Sequence, residues 1–356
     1  MRGKQTKQSS MLCLMSPESV VPADHPLRRV KKIADEVLEE LSPQFDAMYS
    51  KVGRPSVPPE RLLKSLLLIA LYSIRSERMF CEQLGYNLLF RWFLDMDMMG
   101  DGFDASTFSR NRERLLEHDV AGAFFRAVRD RAKRKRLMSS EHFSVDGTLI
   151  ESWASLKSFR PKDEDDDHDG NGWGDFRGTK RSNETHASKT DPDARLVRKG
   201  KGREAKLCFG GHVLMENRNG LVVDILVNRA TGFSEREAAI EMLERSVPGA
   251  RRVTLGADRG YDTRDFIEAL RERNVTPHVA PHDRRNNLDG RTTRHRGYAA
   301  SLYKRMQIEK IFGWAKTIGG LRKSRFRGIP RNQMAAYITG AAYNLLRLAK
   351  LEASYG

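Results

Sequence analysis

The first part of the chain repeats apolar residues at helical spacing. Between residues 26 and 138, apolar positions recur three and four residues apart, as in the run Leu27, Val30, Ile33, Ala34, Val37, Leu38 and Leu41. This repeat is typical of amphipathic helices, whose apolar face packs on a core. Pro59 stands near the start of a second such run, where proline is tolerated in a helix. The pattern predicts an all-α N-terminal domain over residues 26–138, preceded by a flexible tail over residues 1–25.

Beyond residue 138 the pattern changes to short runs of β-branched and apolar residues. These runs predict strands at residues 142–146, 207–215, 221–227 and 252–257. Helical periodicity returns at residues 235–245, 263–273 and 333–351. Because strands that alternate with helices form mixed sheets with crossover connections, we predict an α/β (α+β) domain over residues 139–351, with a mixed β-sheet and flanking helices.

A polar stretch separates the first two predicted strands. Residues 159–206 are rich in Gly, Asn, Ser and charged side chains, and an acidic run occupies residues 163–169. Adjacent like charges without apolar neighbours are typical of solvated loops. We predict a mobile loop or insertion over about 159–206 and no catalytic role for the acidic run.

The charge of the chain indicates a polyanionic partner. The sequence has 63 Lys and Arg residues against 47 Asp and Glu residues, a formal net charge of +16. Release of counterions from a phosphate backbone is the main sequence-independent source of nucleic-acid affinity, so nucleic acid is favoured over a membrane surface. The apolar runs at residues 11–15 and 66–71 are too short for a signal-peptide core or a bilayer span. We expect a cytoplasmic, nucleoid-associated protein.

The cysteines indicate neither a disulfide framework nor a zinc site. Cys13, Cys81 and Cys208 are far apart and show no C-x-x-C spacing. Reduced thiols are the simpler interpretation.

An Arg-rich helix is predicted to begin at Asp104, which stands at the cap position. Arg110 and Arg112 belong to its polar face. The helix either lies against DNA as a recognition element or is an ordinary solvated face, and the sequence leaves both interpretations open.

Three acids stand out in this basic chain. Asp146 stands in the central part or at the end of the first predicted strand, Asp258 ends a later one, and Glu309 lies in a helical segment. Mg²⁺ prefers oxygen ligands, and acids from separate elements can form one site. Two such ions, with Mn²⁺ as a substitute, support phosphodiester displacement. For either aspartate alone, a turn or a helix cap is the commoner use of Asp before glycine.

The segment around Glu309 adds two cations to this pattern. Drawn as one continuous helix at about 100° per residue, Arg305, Glu309 and Lys316 share a stripe beside an apolar face. The same spacing of Arg305 and Glu309 also suits a simple surface ion pair. That alternative explains the spacing but not the two strand-borne aspartates.

These motifs resemble bacterial insertion-sequence transposases of the DDE class, in the insertion-sequence-5-like group. The resemblance extends over most of the chain. It is carried by Val21-Pro-Ala-Asp-His-Pro-Leu27, Gly53-Arg-Pro-Ser56, Leu71-Tyr-Ser-Ile-Arg-Ser-Glu77, Tyr86-Asn-Leu-Leu-Phe-Arg-Trp92, Ser144-Val-Asp146-Gly-Thr-Leu-Ile-Glu151, Leu255-Gly-Ala-Asp258-Arg-Gly-Tyr261-Asp and Ile308-Glu309-Lys-Ile-Phe-Gly-Trp314. One position departs from the pattern: Leu302 stands where the family often has Tyr, and Tyr303 is one residue off.

The resemblance implies a fold and a set of roles. The catalytic domain would be RNase H-like, with Asp146, Asp258 and Glu309 as the catalytic, metal-holding triad. Phosphates would be held by basic side chains, namely Arg305 and Lys316 and, by extension of that surface, Arg322, Lys323, Arg325 and Arg327.

The implied activity is metal-dependent DNA strand cleavage and strand transfer. Its DNA partners would be terminal inverted repeats and a target, bound by a homodimer assembled on DNA. Two alternatives remain open: an RNase H-like nuclease without strand transfer, and an inactive DNA-binding protein derived from a transposase.

Overall fold

The first part of the chain is helical, as its apolar spacing predicts. The computed structural model describes residues 16–48, 56–97, 100, 102–162, 181–198, 200, 202–249, 251–282 and 287–355. Within residues 16–134 it contains α1 Pro17–Val20, α2 Leu27–Glu40, α3 Ser42–Met48, α4 Pro59–Leu71, α5 Glu77–Leu84, α6 Leu88–Phe93, α7 Ala105–Glu117 and α8 Val120–Arg134. Asp104 caps α7 as expected, because its carboxylate accepts from the backbone N–H groups of Ser106 and Thr107.

The predicted tail is wrong for its described part. Residues 17–20 form α1, capped by Ser16, with Pro17 in the first turn. The Glu18 carboxylate accepts a hydrogen bond from the Trp92 indole N–H and pairs with Arg28, while Val21 is buried in the core. Tertiary contacts therefore fix a segment whose polar composition suggested a tail, and residues 1–15 lie outside the described residues.

The second part of the chain is built on a mixed sheet. Its strands are β1 His142–Glu151, β2 Phe159–Pro161, β3 His186–Ser188, β4 Arg195–Arg198, β5 Ala205–Glu216, β6 Val222–Arg229, β7 Val253–Ala257 and β8 Val275–Val279. The sheet runs β4, β5, β1, β7, β8, and β6 pairs with β5 further along the edge that β4 occupies. β1 is antiparallel to β5 and parallel to β7, which is parallel to β8.

Helices cover this sheet and join it to the N-terminal helices. They are α9 Ser234–Ser246, α10 Arg264–Glu272, α11 Gly290–Thr293, α12 Arg296–Arg305, α13 Ile308–Thr317 and α14 Ile329–Tyr355. α14 packs on β6 and also on α2, α4 and α8. One continuous hydrophobic core results, which includes residues of both predicted domains. The predicted mixed α/β fold class, with flanking helices and a helical N-terminal region, is confirmed.

The polar stretch between β1 and β5 is only partly a loop. β2 and β3 pair with each other, and β4 pairs with the start of β5. The prediction of a loop is wrong for these residues, because paired strands this short need few apolar side chains and leave little periodicity. The acidic run lies outside the described residues. β8, which the sequence analysis missed, has only five residues and carries Pro277.

No helix in the described ranges is both long and apolar enough to cross a bilayer. Cys81 and Cys208 are free thiols, and burial raises the pKa of each to about 11.

Candidate active site on two parallel strands

Asp146 and Asp258 are brought together by the register of β1 and β7. Ser144 is the last residue of β1 paired in parallel, and its partner on β7 is Gly256. Two residues further along each strand come Asp146 and Asp258. Side chains two residues apart on a strand point to the same face, so the in-register pairing predicts neighbouring carboxylates. Burial, and then repulsion from the nearby charge of Asp258, raise the pKa of Asp146.

Asp146 is an ionisable group held in a largely buried position. Burial is the main cause that raises the pKa of its carboxyl to about 6. A hydrogen bond from the Gly147 backbone N–H, 2.8 Å from Oδ1, opposes that rise. Arg305 opposes it too, with its Nη1 atom 3.6 Å from Oδ2 of Asp146. The cation of Arg305 thus lies at the strand-borne acid and not at Glu309.

Asp258 also has a structural role. Its Oδ1 atom accepts a 2.8 Å hydrogen bond from the Gly260 backbone N–H and caps the short 3₁₀ turn Arg259–Tyr261. The alternative that this aspartate forms a turn or a cap is therefore confirmed. The side chain remains partly exposed, and only one of its oxygens is used in the cap, so the other can serve a ligand.

Glu309 does not complete a three-acid site in this structure. The helix predicted to carry Arg305, Glu309 and Lys316 is interrupted at Met306 and Gln307, which separate α12 from α13. Glu309 lies in the first turn of α13, exposed to solvent. Among the described residues no three His, Cys, Asp or Glu side chains form a group that could hold a metal ion. The prediction that Arg305, Glu309 and Lys316 share one stripe is wrong, because it assumed one unbroken helix.

Lys316 nevertheless reaches the same strand as Asp146. Its Nζ atom donates a hydrogen bond to Thr148 Oγ1, two residues beyond Asp146 on β1. Positions 146 and 148 share one face of the sheet, where Arg305 also lies. Two helix-borne cations therefore flank Asp146 along one face.

The remaining predicted DNA-binding residues divide into outward and internal ones. Arg110, Arg322, Lys323 and Arg327 are exposed. Arg112, by contrast, pairs with Glu77 and Glu113 and lies over the Phe326 ring, with its side chain only 12% exposed. Arg325 donates to the backbone carbonyl of Ile74, and burial lowers its pKa. Arg112 and Arg325 thus hold the N-terminal helices to the second half of the chain.

Three residues close to Gly147 or Asp258 were not predicted from the sequence, namely Glu235, His212 and Tyr261. A Cβ atom placed on Gly147 would lie 3.0 Å from Oε1 of Glu235 and 3.1 Å from Nδ1 of His212. Burial, and then the charge of Asp258, raise the pKa of Glu235. Although Glu235 as a whole is exposed, its carboxylate end reaches the strand that carries Asp146. The sequence gives no signal of this contact, because acids are favoured in the first turn of a helix such as α9 in any case.

Tyr261 and His212 are two further buried polar side chains in this region. Tyr261 is fully buried, and burial together with the charges of Glu235, Asp146 and Asp258 raises its pKa. His212 lies opposite Gly147 on β5, where burial lowers its pKa to about 4 and keeps the ring neutral. Neither the Tyr261 hydroxyl nor His212 Nδ1 has a hydrogen-bond partner within the described part of the chain.

The chemistry of this donor set fits a hard divalent cation. Asp146 and Asp258 offer carboxylate oxygens from adjacent strands, which are the ligands that Mg²⁺ prefers. Repulsion between the carboxylates is the cost that a bound cation would relieve. The flanking cations Arg305 and Lys316 suit the phosphate oxygens that complete such sites.

Two family models match the chain. The model described as a transposase domain (DUF772) matches residues 15–114, and the model described as a transposase DDE domain matches residues 173–345. The second match includes Asp258 and Glu309, whereas Asp146 lies between the two matched segments. No curated protein matches the chain.

Solved structures of transposases match the chain only distantly. The piggyBac transposase synaptic complex with hairpin DNA matches with a TM-score of 0.43 and 9% identity, covering 92% of this chain and 76% of that one. The Mos1 strand transfer complex matches with a TM-score of 0.20 and 13% identity, covering 78% and 82%. The mariner Mos1 paired end complex with Mg matches with 0.20 and 14%, covering 90% and 87%. TM-scores this low do not support conclusions about the site.

Proposed function

We propose that this chain, a transposase with a helical transposase domain followed by a DDE domain, mobilises an insertion sequence of the insertion-sequence-5-like group. It would bind the terminal inverted repeats and catalyse metal-dependent cleavage and transfer of their strands. The observation that carries the proposal is the pair of carboxylates, Asp146 and Asp258, that the register of two parallel strands sets side by side.

In this proposal Asp146, within β1, and Asp258, directly after β7, hold the divalent cations. When bound there, Mg²⁺, or Mn²⁺ in its place, would supply two-metal Lewis-acid chemistry at the scissile phosphate. The parallel register keeps the two carboxylates together without help from DNA. Arg305, which contacts Asp146, restrains one of them while the site awaits substrate.

Arg305 and Lys316 then act on the phosphate backbone. Both lie on the Asp146 face of β1, so a strand seated against the aspartates would meet them. The Nε atom of Arg305 is buried and has no hydrogen-bond partner in the described part of the structure, which leaves a donor for a phosphate oxygen. The exposed cations Arg322, Lys323 and Arg327 extend this basic surface.

Glu309 would complete the catalytic triad once DNA is bound. It lies four residues beyond Arg305, and the break at Met306 and Gln307 separates α13 from α12. Substrate contacts to Arg305 and Lys316, on either side of Glu309, would press α13 toward β1. We further propose that two such chains, as a homodimer on DNA at the nucleoid, pair the two ends.

A strand-transfer assay tests this function. The purified chain is incubated with labelled terminal inverted repeats flanking the gene and a target plasmid, with Mg²⁺ or Mn²⁺ and with chelator as control. The proposal predicts metal-dependent cleavage at the repeat end and joining of the labelled strand to the target. Cleavage without joining would favour a plain nuclease, and DNA binding without either would favour an inactive DNA-binding protein.

A further inference from the structure

We infer that the protein binds one nucleobase of the DNA in a cavity between α4 and α14, where the base stacks on Trp153. This inference rests on the proposed function, because it needs a DNA strand seated along β1. The cavity has a volume of about 310 Å³. Apolar side chains form much of its wall, namely Leu66, Ile69, Met334, Ile338 and Phe326. Such a wall suits the flat face of a base better than it suits a phosphate group.

Trp153 lines this cavity with much of its side chain in solvent. It is 57% exposed, although tryptophan is on average a highly buried residue. The backbone on both sides of it is fixed, because Ser152 and Ala154 are buried and the Ala154 N–H donates a 3.1 Å hydrogen bond to Oγ of Ser152. An aromatic ring presented by fixed backbone loses little freedom on binding, and a stacked base would cover its exposed surface.

Exposed cations lie next to Trp153 in the fold. Arg75 lines the same cavity. Arg322 and Lys323 belong to a loop that is bonded to Glu151, the last residue of β1. The Glu151 backbone N–H donates to the carbonyl of Arg322 at 3.1 Å, and Nζ of Lys323 lies 3.6 Å from Oε1 of Glu151. These cations suit the phosphates on either side of a bound base, so the charge favours DNA over an apolar protein partner.

The cavity lies further along the strand that carries Asp146. In chain order come Asp146, then Thr148 with its partner Lys316, then Glu151, and Trp153 follows. At about 3.3 Å per residue, the seven residues from Asp146 to Trp153 span at most roughly 23 Å. One DNA strand rises about 3.4 Å per nucleotide, so this span corresponds to at most roughly seven nucleotides. The cavity would therefore take a base inside the bound end and not the nucleotide that reacts.

Binding of single-stranded DNA to the full-length chain tests the inference, because no base pair has to be opened first. Fluorescence anisotropy measures the affinity for a short labelled oligothymidine and for an abasic oligomer of the same length and charge. Tyr86, which is 67% exposed and outside the cavity, provides the matched control Y86A.

We expect W153A to weaken binding of oligothymidine by about tenfold and to bind the abasic oligomer like the parent. W153F keeps an aromatic ring and should bind oligothymidine more tightly than W153A does. Y86A should bind both oligomers like the parent. R75Q should weaken both oligomers by the same factor, because Arg75 is expected to contact phosphate.

A second measurement does not depend on how well W153A folds. Stacking of a base on tryptophan quenches its fluorescence, so oligothymidine should quench the parent more strongly than W153F. The abasic oligomer should quench the two proteins equally. Equal quenching of the parent and W153F by oligothymidine would contradict the inference.

The outcomes separate the inference from the proposed function. If W153A binds oligothymidine like the parent, or loses affinity for both oligomers equally, the base site is wrong. The proposed function then stands, provided that the parent binds a duplex transposon end measured in parallel. If the parent binds neither the oligomers nor that duplex, the proposed function fails with the inference.

Discussion

The strand-borne acids and the helix-borne acid of this site differ in how firmly the fold places them. Asp146 and Asp258 follow from the register of two hydrogen-bonded strands, and the charge of Asp258 acts on Asp146. Glu309 depends on the orientation of α13, which starts after a break in the helix, and it is exposed. A sheet fixes its residues through backbone pairing, whereas a short helix takes its position from packing. The comparison supports the proposal that the aspartate pair is preformed and that bound DNA brings in the glutamate.

The largest expected effect sharpens this comparison directly. Glu309→Gln should lower cleavage of a labelled transposon end by on the order of a hundredfold or more. The same variant should bind Mn²⁺ like the parent in the DNA-free state, because Glu309 stands outside the aspartate pair. Cleavage gels and Mn²⁺ titrations check the two halves. A loss of Mn²⁺ binding in DNA-free Glu309→Gln would show that the triad is already assembled.

The cations that flank Asp146 give the next largest effect. Arg305→Gln and Lys316→Gln should each weaken binding to DNA of any sequence, and lower the slope of log affinity against log salt by about 1. Fluorescence anisotropy at several salt concentrations measures this. Lys350→Gln, at an exposed position of α14, is the control and should leave the slope unchanged. Equal slopes for all three variants would remove these two cations from the DNA surface.

Arg112 was predicted to contact DNA, but in the fold it forms internal contacts with Glu77 and the Phe326 ring. Its substitution should therefore affect stability and not DNA binding. Arg112→Gln leaves Glu77, whose side chain is 18% exposed, without its cation. We expect a loss of about 3 kcal/mol in unfolding free energy, measured in urea, with DNA affinity unchanged in the folded protein. Arg110→Gln, on the exposed side of the same helix, should show the reverse pattern.

The smallest effect is a pH dependence of the metal-free protein. The pKa of Asp146 is about 6 in the folded chain, above the ordinary value of 3.8. An acid with a raised pKa destabilises the fold when charged, so this cost is present above about pH 6 and disappears as the pH falls toward 4. With chelator, D146N should therefore unfold at a higher temperature than the parent near neutral pH. Its unfolding free energy should exceed that of the parent by on the order of 2 kcal/mol. That advantage should shrink near pH 4; an advantage independent of pH would contradict the assigned cause.

Much of the fold could be predicted from the sequence because its signals are local. The apolar spacing of α2 and the runs of β5 and β6 lie where they were expected, with bounds shifted by a residue or two. The missed elements lack such signals: β2 and β3 have three residues each, and α1 is fixed by Glu18 and Val21 through distant contacts.

The candidate site was predictable where the signal lay in one strand or turn. Asp146 and Asp258 each end an apolar run, and their pairing follows once β1 and β7 are known to be parallel neighbours. Glu235 had no such signal, because an acid in a first helical turn is ordinary. The approach of its carboxylate to β1 depends on the absence of a side chain at Gly147, which is far away in sequence. The start of α13 as a separate helix could not be predicted either, because the break after Arg305 does not change the spacing of apolar residues.

The most direct test of the account is cleavage of a labelled transposon end by D258N and by D265N in Mg²⁺. Asp265 lies nearby in sequence, exposed in the first turn of α10, so its variant controls for the loss of a carboxylate in this region. The account predicts that D265N cleaves like the parent, while D258N binds the end but does not cut it. Cleavage by D258N at the parent's rate would contradict the central claim that Asp146 and Asp258 form the catalytic metal site.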